Sequence, residues 1–568
     1  MTFKDFTSIL GKDDLKQICK ELKLKHVDNK HDAIAALARF SKRSSNISNF
    51  LTGHTSNNSS RVLQMMNKKT PPRYKLSDLA RSTLYKLYLI MYLGIDFNLI
   101  RDRKLEFMLL CEKTLRETYP VNKDMVLDNA SIVFRDKDDF ERYFTAHLMY
   151  EDFLTRVDEV ERCEIVKQVK RLLECIDEDE MARYKSISPW LRRFTPPNVY
   201  IKMLEAGIQD LKKSKCEDNY QFALDILSTL ISQNEFCVHR KAHWYDEKAL
   251  VLHSNMCVYD QAAEVLIEGF QSDLSEESKD SLRPRARKLA HQKNITISEH
   301  LKKKLLEYSI KETILENNLD ARHIYKQPMD RTNKRGKVKF ETRTAEGRTV
   351  LEAEEYCIAH YISSGEFTHG EHWEGRIVTT IYFLLFWDII YSKPPNAQGV
   401  FITYYQMYPL DMFTESFYEN RKTRIDEWLD ALAKASTDKV LKIMHDTWDN
   451  RPKCELSGIN RNIAWLDIAM VASCLGSKAV SAICRRLAVN YKYAHSGFPD
   501  LTLWNEFTRK IKFVEVKTDT DKPSMKQIQW MHYLREHGID TEFCYLGANT
   551  MRQRCRTVKN QPDVKSEQ

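Results

Sequence analysis

Two acidic residues and a lysine lie close together in the last third of the chain, at a spacing that suits hydrolysis of a phosphodiester. Asp500 precedes an alternating apolar piece, 501–504, and Glu515 and Lys517 lie two residues apart in a second piece, 512–517. A polar turn separates the two pieces, so the segment is predicted to form a β-hairpin. Glu515 and Lys517 then point to one face of their strand, and the hairpin brings Asp500 next to Glu515.

Clustered carboxylates of this kind bind hard divalent cations such as Mg²⁺ or Mn²⁺, with water completing the coordination. A bound cation lowers the pKa of a coordinated water and polarises phosphoryl oxygens. A lysine can orient that water or neutralise the charge that develops. Asp500, Glu515 and Lys517 are therefore candidate catalytic residues. The alternative is a surface hairpin with an exposed Glu–Lys pair, which would contribute only about 0.5 kcal/mol to stability.

Gln527 and Glu374 are candidates to complete this site. Gln527 is the polar head of an apolar helical stripe that continues through Trp530 and Leu534, so it is predicted to reach inward to the metal. A buried glutamine satisfied by backbone groups is the alternative. Glu374 is predicted to open a nearly all-apolar helix on its core-facing stripe, where an acid is costly unless paired or bound to a metal. A first-turn glutamate favoured by the helix dipole is the alternative, and the nearby His372 is interpreted as a surface or supporting residue.

The composition indicates a large, mostly helical protein. At 568 residues the chain is too long for one core, and about three domains of ordinary size are expected. Glycine and proline are scarce, 42% of residues are hydrophobic and 30% are charged, which favours packed helices over disorder. The chain opens without a secretory signal, and its most apolar run, 377–387, is too short to span a bilayer, so no membrane association is expected. The 13 cysteines form no CxxC pair, which argues against a zinc ribbon and favours a reducing compartment.

The positive charge of the chain is concentrated at its N-terminus. Residues 1–70 contain 13 lysines and arginines against 6 acidic residues, which accounts for nearly all of the net charge of +8. Two helical runs are predicted here, with Lys42 and Arg43 after the second and a polar stretch, 44–60, closing the unit. The pattern resembles a SAP domain, a small helical module that grips duplex DNA, and its cationic surface would attract phosphate. A solvated helical face would carry the same charge.

The middle of the chain is predicted to consist of successive helices. Asp136 is a predicted N-cap, after a short extended piece at 131–134. The segments 220–227 and 259–266 are alike, and their spacing is close to the period of a tetratricopeptide array. The sequence therefore predicts a tetratricopeptide-like helical layer here, although generic helical packing would produce similar segments.

Several stretches, taken in order, resemble the Fanconi-associated nuclease family. The strongest matches are 357–375, 384–390 and 497–530, with weaker support from the SAP-like start, from 132–139 and from 190–195. The resemblance implies a virus-type replication-repair nuclease module of the PD-(D/E)XK superfamily, which has an α/β fold. The expected architecture is mostly α-helical over the first two-thirds and α/β after that. Its expected domains are a SAP-like DNA-binding region at 1–150, a tetratricopeptide-like domain at 151–310 and the nuclease domain at 311–568.

The resemblance implies a structure-selective nuclease that incises 5′ flaps, degrades DNA from a 5′ end and acts in interstrand crosslink repair in the nucleus. Its partners would be branched or flap DNA and other DNA-repair proteins, with a dimer on DNA. A basic stretch at 331–337 also suits nuclear targeting, although short basic clusters are common on exposed loops. Carried over by position, the ligands of Mg²⁺ or Mn²⁺ and the catalytic lysine would be Glu374, Asp500, Glu515, the carbonyl of Val516, and Lys517.

The resemblance also implies a basic pocket for a 5′-terminal phosphate, built by Arg192 and His253 with Lys492 beside them. A guanidinium can fork onto phosphate oxygens, and an imidazole can add one more donor. Arg193 is an alternative to Arg192. His253 lies on an apolar run, where a hydrogen-bonded core histidine is the alternative.

Other hypotheses stay open at this point. Vertebrate members of the family carry an N-terminal ubiquitin-binding zinc finger, but the clustered Cys and His ligands it needs are not visible in this sequence, so ubiquitin binding is not expected from it. A DNA-binding scaffold without activity is a second hypothesis, although a scaffold has no physical need for clustered acids. A nuclease of the same chemistry that acts on RNA is a third, because phosphate contacts do not distinguish the two sugars.

Overall fold

The computed structural model describes residues 3–24, 27, 29–42, 58–70, 77–91, 119–329, 338–344, 347–451, 458–518 and 521–547. Of Lys42 only the backbone is described, and Arg43 and the basic stretch 331–337 lie outside the described residues. The chain divides into two compact units, 1–87 and 88–568. The three-domain division expected from the sequence remains a prediction.

The first unit contains short helices around a small apolar core. They are α1 (Phe3–Ile9), α2 (Lys12–Glu21), α3 (Lys30–Lys42) and α4 (Asn58–Lys68), and α5 (Asp78–Met91) crosses the boundary of the unit. Leu15 of α2 and Leu37 of α3 are fully buried, and both predicted helices are confirmed. The predicted polar stretch 44–60 is wrong at its end, because α4 begins at Asn58 and adds Met66 to the same core.

Helices fill the first part of the second unit. They are α6 (Lys137–Thr155), α7 (Glu159–Glu174), α8 (Glu178–Ser186), α9 (Pro196–Lys213), α10 (Glu217–Ser232), α11 (Lys241–Leu250), α12 (Tyr259–Gln271), α13 (Glu276–Asp280), α14 (Arg283–His291) and α15 (Glu299–Asn317). Asp136 caps α6 by accepting a hydrogen bond from the N–H of Asp139 at 2.8 Å, as predicted. The extended piece predicted at 131–134 is wrong, because the side chain of Asn129 accepts from the N–H of Ser131 and stabilises a 3₁₀ turn there.

The second part of this unit is built on β-strands. They are β1 (Ala321–Tyr325), β2 (Lys339–Thr344), β3 (Gly347–Glu352), β4 (His369–His372), β5 (Leu501–Trp504), β6 (Ile511–Thr518) and β7 (Asp540–Gly547). Five of them form a mixed sheet in the order β1-β7-β6-β5-β4. In this sheet β7 runs parallel to β1 and β6, whereas β5 is antiparallel to β6 and β4. The strands β2 and β3 form a separate antiparallel hairpin.

Helices accompany this sheet. They are α16 (Ala353–Ser363), α17 (Arg376–Ile390), α18 (Ser416–Glu419), α19 (Lys422–Lys434), α20 (Thr437–Asn450), α21 (Trp465–Val489), α22 (Tyr491–Ala494) and α23 (Met525–Glu536). The predicted order, helical at first and mixed helix and strand afterwards, is confirmed.

Strand alternation assigns the two faces of the sheet. Leu501 of β5 and Val514 of β6 are cross-strand partners, and both belong to the apolar core that contains Cys357 of α16. Glu515 points to the opposite face. Its neighbour in β7, Phe543, packs against α23 on that side. Glu515, one of the two acids predicted to carry the chemistry, therefore lies on the α23 side of the sheet.

The longest helix of the described residues, α21, is long and apolar enough to cross a bilayer by length and composition alone. Gly476 interrupts it with a φ of +73°. The hydroxyl of Ser481 donates to the carbonyl of Leu429 in α19 at 2.8 Å, and Val480 and Ile483 are buried. We infer that the apolar residues of α21 serve packing within this unit.

Gly497, just before Asp500, is expected not to tolerate a side chain. Its φ is +84°, and a Cβ would lie 2.8 Å from Cβ of Lys526 and 3.2 Å from the backbone carbonyl carbon of that residue. Gly538 has a similar φ of +76° but open surroundings. Gly497→Ala is expected to lower the free energy of unfolding by about 1–3 kcal/mol more than Gly538→Ala, which carries only the backbone cost. Thermal unfolding of the two variants measures this difference, and equal shifts would contradict the close packing at Gly497.

Candidate active site

The hairpin of β5 and β6 brings the two predicted acids together. Oδ2 of Asp500 accepts a hydrogen bond from the N–H of Val516 at 2.9 Å, which ties the residue before β5 to the middle of β6. Glu515 is completely buried, and its Oε1 accepts from Nζ of Lys517 at 2.7 Å. The predicted hairpin is confirmed, and Asp500, Glu515 and Lys517 form one cluster.

Burial makes the negative charges in this cluster costly. Desolvation raises the pKa of Glu515 to about 8, and the negative charge of Asp500 adds to the effect while Lys517 opposes it. Desolvation also raises the pKa of Asp500, opposed by the hydrogen bond from Val516. Two neighbouring carboxylates need a counter-charge if both are to be ionised at neutral pH, and one lysine supplies only part of it.

Gln527 reaches the cluster from the first turn of α23, as predicted. Its Nε2 donates to Oε1 of Glu515. Its Oε1 accepts from the N–H of Ser524 at 2.8 Å, and the hydroxyl of Ser524 accepts from the N–H of Gln527 in return. This capping box fixes the amide at the start of the helix, and the amide in turn orients the carboxylate.

Glu374 lies beside the cluster, but the prediction that it lies on the core-facing stripe of the apolar helix is wrong. That helix, α17, begins only at Arg376. The N–H of Glu374 donates to the carbonyl of Asp500 at 3.0 Å, and its φ is +51°. This backbone bond holds the residue in a turn before the helix, so its side chain is 54% exposed and lies 3.7 Å from Nε2 of His372.

The oxygen donors of the cluster fit a hard divalent cation. Oε2 of Glu515 is buried without a hydrogen-bond partner, and such an oxygen is costly unless a cation or a proton occupies its lone pair. Carboxylate oxygens are the donors that Mg²⁺ and Mn²⁺ prefer. No preassembled group of three Asp, Glu, His or Cys ligands occurs among the residues that the structure describes. Asp500 and Glu515 form the inner pair, and Glu374 is turned outward at the rim.

Two further residues act on Asp500 electrostatically. The negative charge of Glu354, the second residue of α16, raises the pKa of Asp500, whereas His372 lowers it. Acids are common in the first turn of any helix, so the sequence pattern offers no signal for Glu354. His372, interpreted from the sequence as a surface or supporting residue, thus interacts with both acids. It lies 3.7 Å from the carboxylate of Glu374 and lowers the pKa of Asp500.

A second cluster, which is positively charged, surrounds Lys492 in α22. Nζ of Lys492 lies 2.7 Å from Nε2 of His239. Desolvation lowers the pKa of Lys492 to about 8, and the positive charges of Lys202, Arg193 and Arg240 act in the same direction. We call these five residues the basic cluster. Burial lowers the pKa of His239 to about 3, so His239 is a neutral acceptor for Lys492, and Arg240 is paired with Glu205. The remaining cations of the cluster favour binding of an anion beside Lys492.

Arg192, predicted as a phosphate ligand, uses its guanidinium to hold backbone. Its Nε donates to the carbonyl of Ile187 at 2.8 Å, and its Nη1 donates to the carbonyl of Glu235 at 3.1 Å. The neighbouring Arg193, the alternative raised from the sequence, contributes its charge to the basic cluster. The role of Arg192 in phosphate binding remains a prediction.

His253 is 8% exposed on a π-helical turn that follows α11. Its Nε2 lies 2.9 Å from Oε1 of Gln292, and its Nδ1 lies 3.3 Å from the hydroxyl of Ser254. This is the geometry of a hydrogen-bonded core histidine, the alternative raised from the sequence. A direct role of His253 in phosphate binding also remains a prediction.

Two family models match the chain. The model described as "VRR-NUC domain" matches residues 435–546, which include the β5–β6 hairpin and α23. The model described as "Fanconi-associated nuclease 1, TPR domain" matches residues 139–290. The second match confirms the tetratricopeptide prediction for the helical layer.

Named relatives and a solved structure agree with these matches. Fanconi-associated nuclease 1 of Mus musculus is 28% identical over 430 residues, which are 73% of this chain and 41% of the relative. The Homo sapiens protein is 28% identical over 432 residues, with the same two shares. This chain therefore spans about two fifths of the length of these relatives.

A crystal structure of paFAN1 bound to DNA with a two-nucleotide 5′ flap and a gap has a similar fold. It superimposes with a TM-score of 0.53 at 14% sequence identity, over 96% of this chain and 82% of that chain. The two domain matches, the relatives and the shared fold lead to the same conclusion. The chain is similar to Fanconi-associated nucleases over residues 139–290 and 435–546, and it shares the fold of paFAN1.

Proposed function

We propose that the chain is a metal-dependent, structure-selective DNA nuclease. The observation that supports this most directly is the buried pair of Asp500 and Glu515, with Lys517 bonded to Glu515 and one Glu515 oxygen left without a partner. A PD-(D/E)XK-type nuclease domain uses a divalent metal, and we propose Mg²⁺ or Mn²⁺ as the ion. Asp500 and Glu515 would hold it, and the further ligands would be Glu374 and the carbonyl of Val516.

The cation, when bound, lowers the pKa of a coordinated water and polarises the scissile phosphate. The chain's own residues supply position and charge. Lys517, held 2.7 Å from Glu515, is placed to orient the attacking water or to neutralise charge that develops on the phosphate. Gln527 donates to the same Glu515 oxygen and keeps the carboxylate in one orientation. The water oxygen bonds to phosphorus, and the P–O bond to the leaving strand breaks.

The proposed substrate is branched DNA with a free 5′ end, incised at 5′ flaps and degraded from that end. The names of the relatives and the flap DNA bound to paFAN1 support this choice. A role in interstrand crosslink repair in the nucleus, with other DNA-repair proteins and a dimer on DNA, belongs to the same proposal. Lys42 and Arg43 are proposed as duplex contacts, since phosphate binding depends on clustered cations.

The basic cluster is the proposed site for a 5′-terminal phosphate. A terminal phosphate carries more charge than an internal one, and hydrogen bonds between charged groups are the strongest in proteins. Lys492 lies eight residues before Asp500. A DNA end held at Lys492 would therefore be held by the same short segment that carries a metal ligand.

Cleavage of a labelled 5′-flap duplex in Mg²⁺ or Mn²⁺, beside an EDTA control, tests the proposed activity. Asp500→Ala, Glu515→Ala and Lys517→Ala are each expected to slow cleavage by about 100-fold or more, because they act on the reacting groups. DNA affinity should stay nearly unchanged, since it is spread over a cationic surface. Lys510→Ala changes an exposed lysine in the turn of the same hairpin, and this matched control should cleave normally.

Three outcomes of this assay would redirect the assignment. Asp500→Ala cleaving at the parental rate would show that the site is wrong. Tight flap binding by the parent without cleavage would favour the inactive scaffold. Equal cleavage of an RNA flap would favour the RNA hypothesis.

The cation itself is expected to stabilise the fold. Because it binds the folded pair of Asp500 and Glu515, a concentration about 100 times its Kd should add about 2.7 kcal/mol to the free energy of unfolding. Thermal unfolding with and without Mn²⁺ measures this gain, which Glu515→Gln should abolish. Glu371→Gln, which changes an exposed acid on β4, should keep it. A response to Zn²⁺ alone would contradict an all-oxygen site.

The end-binding proposal predicts a preference for 5′-phosphorylated over 5′-hydroxyl flaps. Lys492→Ala should reduce that preference by about tenfold, since it removes one charge-assisted hydrogen bond. Metal-dependent cutting should persist with altered incision sites. The double variant Arg192→Ala, His253→Ala is the comparison. If it, rather than Lys492→Ala, removes the preference, Arg192 and His253 hold the phosphate, and Lys492 and the rest of the basic cluster do not.

A further inference from the structure

Three aromatic rings are stacked at the β4 edge of the sheet, on the face that carries Glu515. Trp504, the last residue of β5, is stacked on His369 of the edge strand β4, with ring centroids 5.3 Å apart and planes 9° apart. Trp373, one residue beyond β4, is also stacked on Trp504, with centroids 5.4 Å apart and planes 20° apart. Parallel rings at this separation form a continuous π surface.

Backbone contacts fix this stack relative to the metal ligands. Trp373 immediately precedes Glu374, whose N–H donates to the carbonyl of Asp500 at 3.0 Å. Trp504 ends β5, four residues after Asp500, and its pairing with Ile511 places it on the same face of the sheet as Glu515. The indole of Trp504 and the carboxylate of Glu515 therefore face the same side of the hairpin.

Two of the three rings are accessible to solvent, which argues against a role in core packing alone. Trp504 is 2% exposed, whereas Trp373 is only partly buried and His369 is exposed. A buried indole thus supports aromatic surface that stays accessible at the rim of the site. Arg376, which is 57% exposed, donates to the carbonyl of Trp373 at 3.1 Å and adds a cation next to it. An accessible ring beside a cation suits a ligand that has both a flat aromatic group and a phosphate.

We propose that Trp373, supported by Trp504, stacks on an unpaired nucleobase of the strand being cut, next to the scissile phosphate. The inference rests on the proposed nuclease function and adds a base-binding site to it. A base within a duplex is already stacked on both faces, so only an unpaired base offers a free face to the indole. Stacking on an aromatic side chain contributes about 1–3 kcal/mol per base and tolerates any sequence. The site would therefore select for local unpairing and not for base identity.

A double-mutant cycle tests the proposal by combining removal of one base from the DNA with removal of the Trp373 ring from the protein. Flap substrates carry, one position at a time on either side of the cleaved bond, either a normal base or an abasic tetrahydrofuran spacer. For the parent, removing the base at the stacking position should lower kcat/KM by about 5- to 100-fold. Trp373→Leu keeps apolar volume but lacks a ring, so it should lose as much on the normal substrate and nothing further on the spacer. Trp373→Phe, which keeps an aromatic ring, should restore most of the loss in kcat/KM that removal of the base causes in the parent.

The matched control is Tyr325→Leu, which removes a ring that is 53% exposed on β1, the opposite edge strand of the sheet. This variant should show the same ratio of kcat/KM between normal and spacer substrates as the parent. The readout compares two substrates for each variant, so a general loss of stability cancels. If Trp373→Leu loses the same factor on normal and spacer substrates at every position, its role is structural and the base site is overturned.

Failure of the parent to cleave any flap would overturn the proposed function and not, by itself, the base site. The same cycle is then measured on the affinity for flap DNA in Ca²⁺. Coupling between the Trp373 ring and one base would support the stack. Independent effects of the two changes would overturn it.

Discussion

Two carboxylates buried side by side repel each other, and burial removes the water that would otherwise screen them. In this domain the pair is Asp500 and Glu515. The chain offsets the charge only in part, with the ammonium of Lys517 and the N–H of Val516. One oxygen of Glu515 is left with no partner. A site balanced by its own residues would have little affinity for a cation, so the incomplete compensation is what retains affinity for one.

Since the pair is repulsive, the surrounding elements must hold it in place. The ring of Phe498 packs edge-on against Phe513 and Trp530, with centroids 4.8 and 5.1 Å apart. The indole of Trp530 donates to the carbonyl of Ala494 at 3.0 Å. The approach to Asp500 is thus anchored from α23 and from the hairpin at once. The same helix supplies Gln527, so one element both packs the turn and orients the carboxylate.

How much of this site can be predicted from sequence depends on whether its determinants are local. The hairpin follows from two-residue alternation around a polar turn, and the inward position of Gln527 follows from the helical stripe that it heads. Glu374 differs, because its place is set by a backbone bond to Asp500, which is distant in sequence. Extending the helical periodicity of α17 toward the N-terminus places Glu374 on the buried face, although the helix begins only at Arg376. The short piece at 131–134 fails for a related reason, since the Asn129 side chain competes for the backbone.

The basic cluster is even harder to predict from the sequence, because its members are distant from one another along the chain. Arg193, Lys202, Arg240 and Lys492 come from separate elements of the helical layer and of the sheet region, and no local motif unites them. Tertiary contacts do so: Gln529 of α23 donates to Asp280 of α13 at 2.8 Å. The helical layer is therefore bonded directly to the helix that carries Gln527. In the proposed nuclease, cutting at a set distance from a 5′ end requires the end-binding and metal-binding groups to keep a constant separation. Hydrogen bonds through α23 supply that constraint, which a flexible connection between the two regions could not.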